Sequence, residues 1–420
     1  MHCRNGCGTL PVRRSYACPD CAPDALHADY EHKKRVVCEL RDLHVPRTAS
    51  PLTGPADSPH SFAKAWRYLQ LYGPARTLAK VRARRLLAAD ALPIERTARP
   101  GQHIGLIGCG NFALATIAHY LPRGSIRATM DIAPARAAAL ARAHRAAYST
   151  NDAERLFADP GIDLVYIASS HASHADYAAR ALEAGKHVHI EKPHVISHAQ
   201  LDRLCAAMAA HPAQRIHIGF NRPHAPLFAR AAQALARENG PTMIAWFVAG
   251  HAIPPDHWYN APGEGGRVLG NLSHWIDASR ALIAPEHCYP ITLVPLPAPD
   301  TSGNLGLALC FVDGSQAMIA FSAKTEPFEG VRERLHAHRG STLLDLEDFE
   351  RLAITRGRTR RVWRAQVRNH GHRNCIRASL GDARFNLGLA PHEVRARGEL
   401  ILAAAHAIAT GLPQTVLAAP

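Results

Sequence analysis

The chain has 420 residues, which is long enough for two or three domains with their own cores. No uninterrupted apolar stretch approaches the roughly 18 residues of a membrane span, and the first residues lack the apolar core of a signal peptide. We therefore expect a cytoplasmic globular protein. The net charge of +14 is concentrated in residues 61–99 and 351–377. Such segments either attract anions or form solvated faces.

Four of the ten cysteines lie near the N-terminus, as Cys3-x3-Cys7 and Cys18-x2-Cys21. Two close thiolate pairs joined by a short spacer can form a tetrahedral zinc site. A segment with so few apolar residues would need such a metal to fold. We predict a structural zinc module over residues 1–45, with an iron site or unmetallated thiols as alternatives. The other cysteines are scattered singly, which is typical of a reducing compartment.

A linker and a basic helical segment are predicted over residues 46–100. The linker is rich in Pro, Ser, Thr and Gly, and the sequence after it has helical apolar spacing with a break at Gly73-Pro74. The apolar side chains expected to pack on the main body are Phe62, Trp66, Leu69, Leu78 and Val81.

From Gln102 onward, strand and helix patterns alternate. The strand-like stretches "HIGLIG", "SIRATMDI", "DLVYIAS", "HVHIEKP" and "RIHIGF" are separated by helical ones. Under the right-handed crossover rule this order indicates parallel βαβ units. We predict an α/β domain with a doubly wound parallel sheet over residues 101–222.

After about residue 240 the strands follow one another closely. Hairpin signals occur at Asp313-Gly314 and around Gly340, and a long helix pattern, "PHEVRARGELILAAAHAIATG", ends the chain. The pattern predicts an α+β domain with an open, mostly antiparallel sheet over residues 223–420.

The stretch "GLIGCGNFA" follows the first predicted strand. Gly108 permits a tight turn, Gly110 lets a pyrophosphate approach the backbone, and Ala113 keeps the helix close to the sheet. Asp131, at the end of the next strand, can bind ribose hydroxyls and would repel a 2′-phosphate, which favours NAD over NADP. The predicted cofactor loop comprises Gly108, Gly110, Asn111, Phe112 and Ala113.

The stretch "HVHIEKPHV" places several titratable side chains on and after one strand. Strand alternation puts His187, His189 and Glu191 on one face and Lys192 on the other. No third metal ligand is evident beside the histidines, so we interpret them and His194 as structural or surface residues. Lys192 lies at the carboxyl end of a parallel strand, where ligands bind in open α/β sheets.

Together, "GLIGCGNFA", "DLVYIASSHASHADYAARALEAGKHVHIEKP" and "GFNRP" resemble the glucose–fructose oxidoreductase / inositol dehydrogenase / MocA family of NAD(P)-dependent oxidoreductases. The resemblance implies a Rossmann domain and an open-sheet domain, with nicotinamide and a sugar-like substrate at their junction. Lys192 would then bridge cofactor and substrate oxygen. The other cofactor contacts implied are Ser170, His171, His174 and Glu191. The substrate contacts inferred are Asn221, Arg222, Trp258, Tyr259 and Asn271.

The family's acid/base histidine is matched within "GGRVLGNLSHWIDASRAL". His274 and Asp277 reproduce a histidine followed three residues later by aspartate, and this spacing puts both on one helix face. Gly270 stands where many members carry an aspartate. Asn271 stands next to it, where one branch carries glutamate.

The predicted reaction is hydride transfer between nicotinamide and a secondary alcohol or ketone of a sugar-like substrate, which could be nucleotide-linked. His274 would take the hydroxyl proton and Lys192 would stabilise the alkoxide. Two alternatives are a redox-neutral NAD-dependent glycosidase of the same fold and an NAD-sensing binding protein whose zinc module contacts a partner. We expect a homo-oligomer and an anionic ligand at the basic segments, and no binding to nucleic acid.

Overall fold

The structure is a computed structural model that describes residues 60–88, 91–254, 256–261, 263–297, 303–325, 330–381 and 388–417. Cys3, Cys7, Cys18 and Cys21 lie outside these residues, and the zinc module stays a prediction. Within the described ranges, no cluster of His, Cys, Asp or Glu side chains could hold a metal ion. In the same ranges no helix combines the length and apolarity that a membrane crossing needs.

The predicted doubly wound sheet is confirmed as six parallel strands in the order β3-β2-β1-β4-β5-β6. The strands are β1 (Ile104–Ile107), β2 (Ile126–Met130), β3 (Tyr148–Thr150), β4 (Leu164–Ile167), β5 (His187–Ile190) and β6 (Ile216–Ile218). The strand order reverses between β1 and β4, which creates a ligand crevice at the carboxyl ends of these strands.

Helices cover both faces of this sheet, and every residue of β1 and β4 is buried. The first crossover helix is irregular, with a π-helical segment, π1, preceding a short α-helix. The helical segments are π1 (Ala113–Ile117), α2 (Ala118–Tyr120), α3 (Pro134–His144), α4 (Ala153–Phe157), α5 (His174–Glu183) and α6 (His198–Ala210), with α1 (His60–Leu87) preceding the sheet. The sequence did not predict β3 or α4, because "YST" is too short and polar to show a strand period.

The second sheet has nine strands in the order β14-β13-β12-β11-β7-β10-β9-β8-β15. Only β7 and β10 pair in parallel among its strands, so the predicted mostly antiparallel sheet is confirmed. The strands are β7 (Met243–His251), β8 (Ile291–Pro295), β9 (Leu305–Phe311), β10 (Gln316–Thr325), β11 (Arg332–Arg339), β12 (Thr342–Glu347), β13 (Arg351–Arg356), β14 (Thr359–Arg364) and β15 (Gln414–Val416).

The helices of this second domain cover one face of the nine-stranded sheet. Trp246, Ile319 and Leu335 on that face form one core with Trp275. The opposite face is open, and Phe247 of β7 is 56% exposed. The helical segments are α7 (Pro226–Leu235), π2 (Val268–Leu272), α8 (Ser273–Arg280), α9 (His372–Ala378) and α10 (Pro391–Thr410).

Helix α1 bends at Gly73, where φ is +78°, as the Gly-Pro pair predicted. The predicted docking face is wrong for three of its five side chains, because Trp66 and Leu78 are 53% and 58% exposed and Val81 is also exposed. Leu69 is half-buried, and the side chain of Phe62 lies outside the described ones. Instead Leu71 and Ala83 are buried. After the bend, Arg76 binds the Tyr120 hydroxyl, and Ala83, Leu86 and Leu87 pack on the core of the parallel-sheet domain.

Candidate active site at the carboxyl ends of the parallel strands

The loop after β1 contains two glycines, and the structure needs a glycine at each position for a different reason. Gly108 has φ +86°, and a Cβ there would lie 2.4 Å from the backbone carbonyl carbon of Ala168, so no other residue fits. A Cβ on Gly110 would meet nothing within 4 Å. Gly110 therefore faces open space at the start of the helical segment, where a pyrophosphate can approach the backbone amides. Asn111 and Phe112 are exposed beside it, and Ala113 is buried.

Asp131 closes the edge of this loop. Its Oδ2 accepts a hydrogen bond from the backbone N–H of Cys109 at 2.7 Å, and its Oδ1 accepts one from Ala133 at 2.9 Å. These bonds fix the carboxylate just after β2, against the residue that precedes Gly110. A carboxylate in this position can accept bonds from ribose hydroxyls, and its charge opposes a phosphate.

Lys192 follows β5 and reaches across to the second domain. Its Nζ donates a hydrogen bond to the carbonyl oxygen of Gly270 at 2.8 Å. Burial lowers the pKa of Lys192 to about 8; Glu191 opposes this shift and Arg222 adds to it. The Lys192–Pro193 peptide bond is cis. Because its pKa is about 8, the Lys192 side chain is an ammonium at neutral pH, and its bond to Gly270 holds it beside the crevice.

The histidines of "ASSHASH" contact protein carbonyls. His174 Nδ1 lies 2.8 Å from the Pro193 oxygen and Nε2 lies 3.1 Å from the Ser169 oxygen, so this ring supports the turn after Lys192. His171 Nδ1 lies 2.7 Å from the oxygen of Glu264, and burial lowers the pKa of His171 to about 3. Ser170 is exposed. His171 therefore connects the parallel-sheet domain to the second domain, whereas His174 contacts carbonyls of its own domain.

The histidines of "HVHIEKPHV" are also engaged by the protein. His189 is fully buried, stacks on Tyr166 with ring centroids 4.8 Å apart, and lies 3.1 Å from Ser379 Oγ. His187 Nδ1 accepts a bond from the backbone of Arg215, and His194 lies 3.3 Å from the carbonyl oxygen of Val394. Their contacts fit the structural role proposed for them.

His274 lies on α8, one turn beyond Gly270. It is buried, and its Nδ1 has no hydrogen-bond partner among the described residues. Burial, with smaller contributions from Arg222 and Lys192, holds the pKa of His274 well below its usual value. The imidazole is therefore neutral near pH 7 and can accept a proton.

Asp277 does not contact His274 in the structure. Its Oδ1 accepts a hydrogen bond from Nε of Arg397, on α10, at 3.1 Å, and lies 3.9 Å from Nε of Arg280. The i,i+3 spacing places both side chains near one face, but two arginines attract the carboxylate away from the imidazole. The pair with Arg397 attaches α8 to α10, so Asp277 supports the helix that carries His274.

Tyr259 occupies the space left by the missing acid of the resembled family. A Cβ on Gly270 would lie 1.9 Å from the Tyr259 hydroxyl oxygen, so the two residues fit only because position 270 is glycine. That hydroxyl is buried and has no hydrogen-bond partner within the described residues, and Asn271 Oδ1 shares this property. Trp258 is half exposed nearby, 5.1 Å from the ring of His171. Buried polar atoms without partners are rare in folded proteins, so these two need an explanation.

Arg222 is engaged in a buried ion pair rather than exposed to a substrate. Its guanidinium binds both carboxylate oxygens of Glu333 at 2.9 and 3.1 Å, and Trp275 Nε1 donates to the same carboxylate at 2.8 Å. Burial alone would raise the pKa of Glu333, but Arg222 and His370 outweigh it and hold that pKa well below its usual value. Asn221 Nδ2 donates to the carbonyl oxygen of His370 at 2.7 Å.

The sequence did not indicate three residues near the site: Glu333, His370 and His372. His370 Nε2 lies 3.2 Å from Glu333, and the positive charge that His370 and His372 can carry also lowers the pKa of His274. The available signal was "HGH" within the arginine-rich segment. Its Gly371 has φ +88°, and a Cβ there would lie 2.2 Å from the backbone oxygen of Asn221. This close approach brings the two histidines to the crevice.

Comparison with known proteins agrees with this arrangement. Residues 102–220 match the family model described as "Oxidoreductase family, NAD-binding Rossmann fold". These residues coincide with the six-stranded parallel-sheet domain, so the match supports a Rossmann fold for that domain.

Proteins with similar sequences include an oxidoreductase and a dehydrogenase. An uncharacterized oxidoreductase, YrbE, of Bacillus subtilis is 29% identical over 185 residues, which are 43% of this chain and 54% of that protein. Inositol 2-dehydrogenase of Acidothermus cellulolyticus is 32% identical over 131 residues, or 30% of this chain and 38% of that protein. The chain therefore spans about half the length of the first relative and less of the second.

Solved structures share the fold over both domains. GenD2 from gentamicin A biosynthesis, in complex with NAD, has a TM-score of 0.63 and 20% identity, covering 77% of this chain and 99% of that one. Levoglucosan dehydrogenase in complex with NADH and levoglucosan has a TM-score of 0.64 and 18% identity, covering 75% of this chain and 99% of that one. At such identities the likeness establishes the two-domain fold.

Proposed function

We propose that the protein is an NAD-dependent oxidoreductase that acts on a secondary alcohol or ketone of a sugar-like substrate. The observation that carries this proposal is the arrangement around Gly270. Its carbonyl holds the Lys192 ammonium, and Tyr259, Asn271 and His274 have buried polar atoms with no hydrogen-bond partner among the described residues. A polyhydroxylated ligand can satisfy these atoms. Inositol and levoglucosan dehydrogenases among the similar proteins support that substrate class.

The loop after β1 fits NAD. Gly108 and Gly110 leave the backbone open to a pyrophosphate, and Asp131 suits an adenosine ribose without a 2′-phosphate. When bound, nicotinamide supplies the hydride acceptor or donor. The protein's own part is to bind, to orient and to handle the proton.

His274 takes the hydroxyl proton in the oxidation direction, because its imidazole is neutral and its Nδ1 is unpartnered. Lys192 stabilises the negative charge that develops on the substrate oxygen. One of its donors is held by the Gly270 carbonyl, which fixes where the other two point. The Tyr259 hydroxyl serves as a substrate-binding group in the place of the family's aspartate.

The test is a screen of free and nucleotide-linked sugars for NADH formation, repeated with Lys192→Met and His274→Asn. We expect turnover of at least one sugar and a drop in kcat of about a hundredfold or more in each variant, typical for loss of an acid/base or charge-stabilising group. Variants that bind NAD normally and keep the wild-type rate would refute the assignment of these two residues.

The open face of the nine-stranded sheet supports the proposal of a homo-oligomer. Met243, Phe247, Met318 and Leu343 alternate with buried residues on neighbouring strands and are 47–56% exposed. Light scattering should give a dimer or larger assembly, and Phe247→Arg should shift it toward the monomer. A monomeric wild-type protein at micromolar concentration would contradict this.

Zinc binding by Cys3, Cys7, Cys18 and Cys21 is a separate proposal, supported by the spacing of these residues in the sequence. Elemental analysis of the purified full chain should give one zinc per chain, and Cys18→Ser together with Cys21→Ser should remove it. Less than half an equivalent in the wild-type protein would contradict the site.

A further inference from the structure

A cavity of about 550 Å³ lies between the bend of α1, residues 119–122 and residues 367–377. Its volume is in the range that holds a nucleotide-sized molecule. Arginine, histidine and tyrosine dominate its lining, and none of the described residues that line it is a carboxylate. The residues that matter most are Tyr72, Arg76, Tyr120, His372, Arg373 and Arg377.

Three arginines of this cavity have no carboxylate partner among the described residues. Arg76 Nη1 donates to the Tyr120 hydroxyl at 2.9 Å, while its Nε is buried and has no hydrogen-bond partner in the described part of the chain. Arg373 and Arg377 lie one turn apart on α9 and are exposed. No described carboxylate lies within 4.0 Å of either one. A polyvalent anion is the ligand that such a set of guanidinium groups favours.

A fourth arginine that lines the cavity, Arg368, is paired with carboxylates of the protein. Arg368 Nε donates to Glu350 at 2.8 Å, and Nη2 lies 3.3 Å from Asp348. This arginine is therefore neutralised by the protein. The contrast locates the uncompensated charge at Arg76, Arg373 and Arg377.

The cavity adjoins the candidate active site. His372 lines it, and the ring of His372 lies 5.9 Å from the ring of Phe112 in the cofactor loop. The neighbouring His370 also lines the cavity and reaches Glu333, which binds Arg222. A ligand in the cavity would thus sit one side chain away from the loop after β1.

We propose that this cavity binds the phosphate groups of a small molecule, with diphosphate as the favoured anion. Guanidinium groups bind phosphate oxygens in pairs, and the Tyr72 and Tyr120 rings offer surfaces for an attached sugar or base. The phosphate belongs either to the far end of the substrate or to a separate effector. This inference rests on the proposed function only for its link to catalysis, since binding itself can be measured without turnover.

The first experiment titrates inorganic pyrophosphate into the NAD-saturated full chain by calorimetry at low salt. NAD saturation keeps the probe out of the dinucleotide site. The variant R373A/R377A is compared with R358A/R360A, which removes the same two charges from exposed positions on the β13–β14 hairpin outside the cavity. We expect the Kd to rise about tenfold or more in R373A/R377A and to stay within about twofold of wild type in the control.

Equal Kd values for the two double variants, or no pyrophosphate binding by the wild-type protein at millimolar concentration, would overturn the proposal and leave the hydride-transfer proposal intact. The second experiment adds pyrophosphate to the NADH-forming assay. A higher KM at constant kcat assigns the phosphate to the substrate, and a changed kcat at saturating substrate assigns it to an effector. Binding with no change in either constant would overturn the link to catalysis.

Discussion

The Arg222–Glu333 pair can be tested by the substitution Glu333→Gln. Glutamine keeps the shape of the side chain and removes its charge. In the folded protein the Glu333 carboxylate accepts two bonds from Arg222 and one from Trp275, and both charged side chains are buried. The variant would leave the Arg222 guanidinium, which also lies 5.1 Å from the Trp275 ring centre, without its counter-charge.

The expected loss of stability follows from this burial. Removing one partner of a buried ion pair costs about 3–5 kcal/mol of stability. Because the glutamine oxygen can still accept a hydrogen bond, we expect E333Q to cost about 3 kcal/mol. The exposed pair Arg334–Glu347, 3.1 Å apart, gives a matched control that joins β11 to the neighbouring β12. Solvent screens that pair, so Glu347→Gln should cost about 0.5 kcal/mol or less.

Urea unfolding at pH 7 measures both variants. E333Q and Arg222→Met should each destabilise the protein. The loss of unfolding free energy in the double variant should be smaller than the sum of the two single losses by about 2 kcal/mol. The pKa of Glu333 is lower in the folded protein than in the unfolded chain. The extra stability of the wild-type protein over E333Q is therefore complete above the ordinary pKa of 4.5 and declines as pH falls below it. A midpoint for E333Q equal to that of E347Q would show that this reasoning about the buried pair is wrong.

Three further predictions concern the site. The reaction rate should fall as pH rises through about 8, because the Lys192 ammonium loses its proton there, and a rate that is flat to pH 10 would contradict the role of Lys192. Gly110→Ala should keep the unfolding midpoint of the wild-type protein and weaken NAD binding about tenfold in a fluorescence titration. Gly108→Ala should lower the unfolding midpoint and abolish NAD binding. Equal effects of the two substitutions would refute the distinction between the two glycines. Gly270→Ala should displace Tyr259, cost about 1–3 kcal/mol of stability and lower kcat/KM about tenfold, and an unchanged kcat/KM would exclude Tyr259 from substrate binding.

The sequence predicted the two-sheet architecture because both signals are local. Alternating strand and helix patterns identify parallel units, and Gly314 and Gly340 mark hairpins that the structure contains. Strands β13 and β14 were missed because their dense arginines concealed a strand period. On an edge of the sheet, such charged side chains are tolerated on the exposed face.

The candidate site was predictable where it depends on chain-local motifs. The loop after β1, Asp131 and Lys192 fall at strand ends, so their positions follow from topology. The partners of Arg222 and Asp277 did not follow, because Glu333 and Arg397 are more than a hundred residues away in sequence. Side-chain pairing across such distances depends on how the domains pack, and no local period encodes it.

The bonds around the crevice join one domain to the other. Lys192 binds the Gly270 carbonyl, His171 binds the Glu264 carbonyl, and Arg222 binds Glu333. The same bonds that dock the two domains also set the width and charge of the crevice. A change in substrate specificity therefore also affects how the two domains dock. Substitutions in β11 that weaken this docking will change substrate preference together with stability.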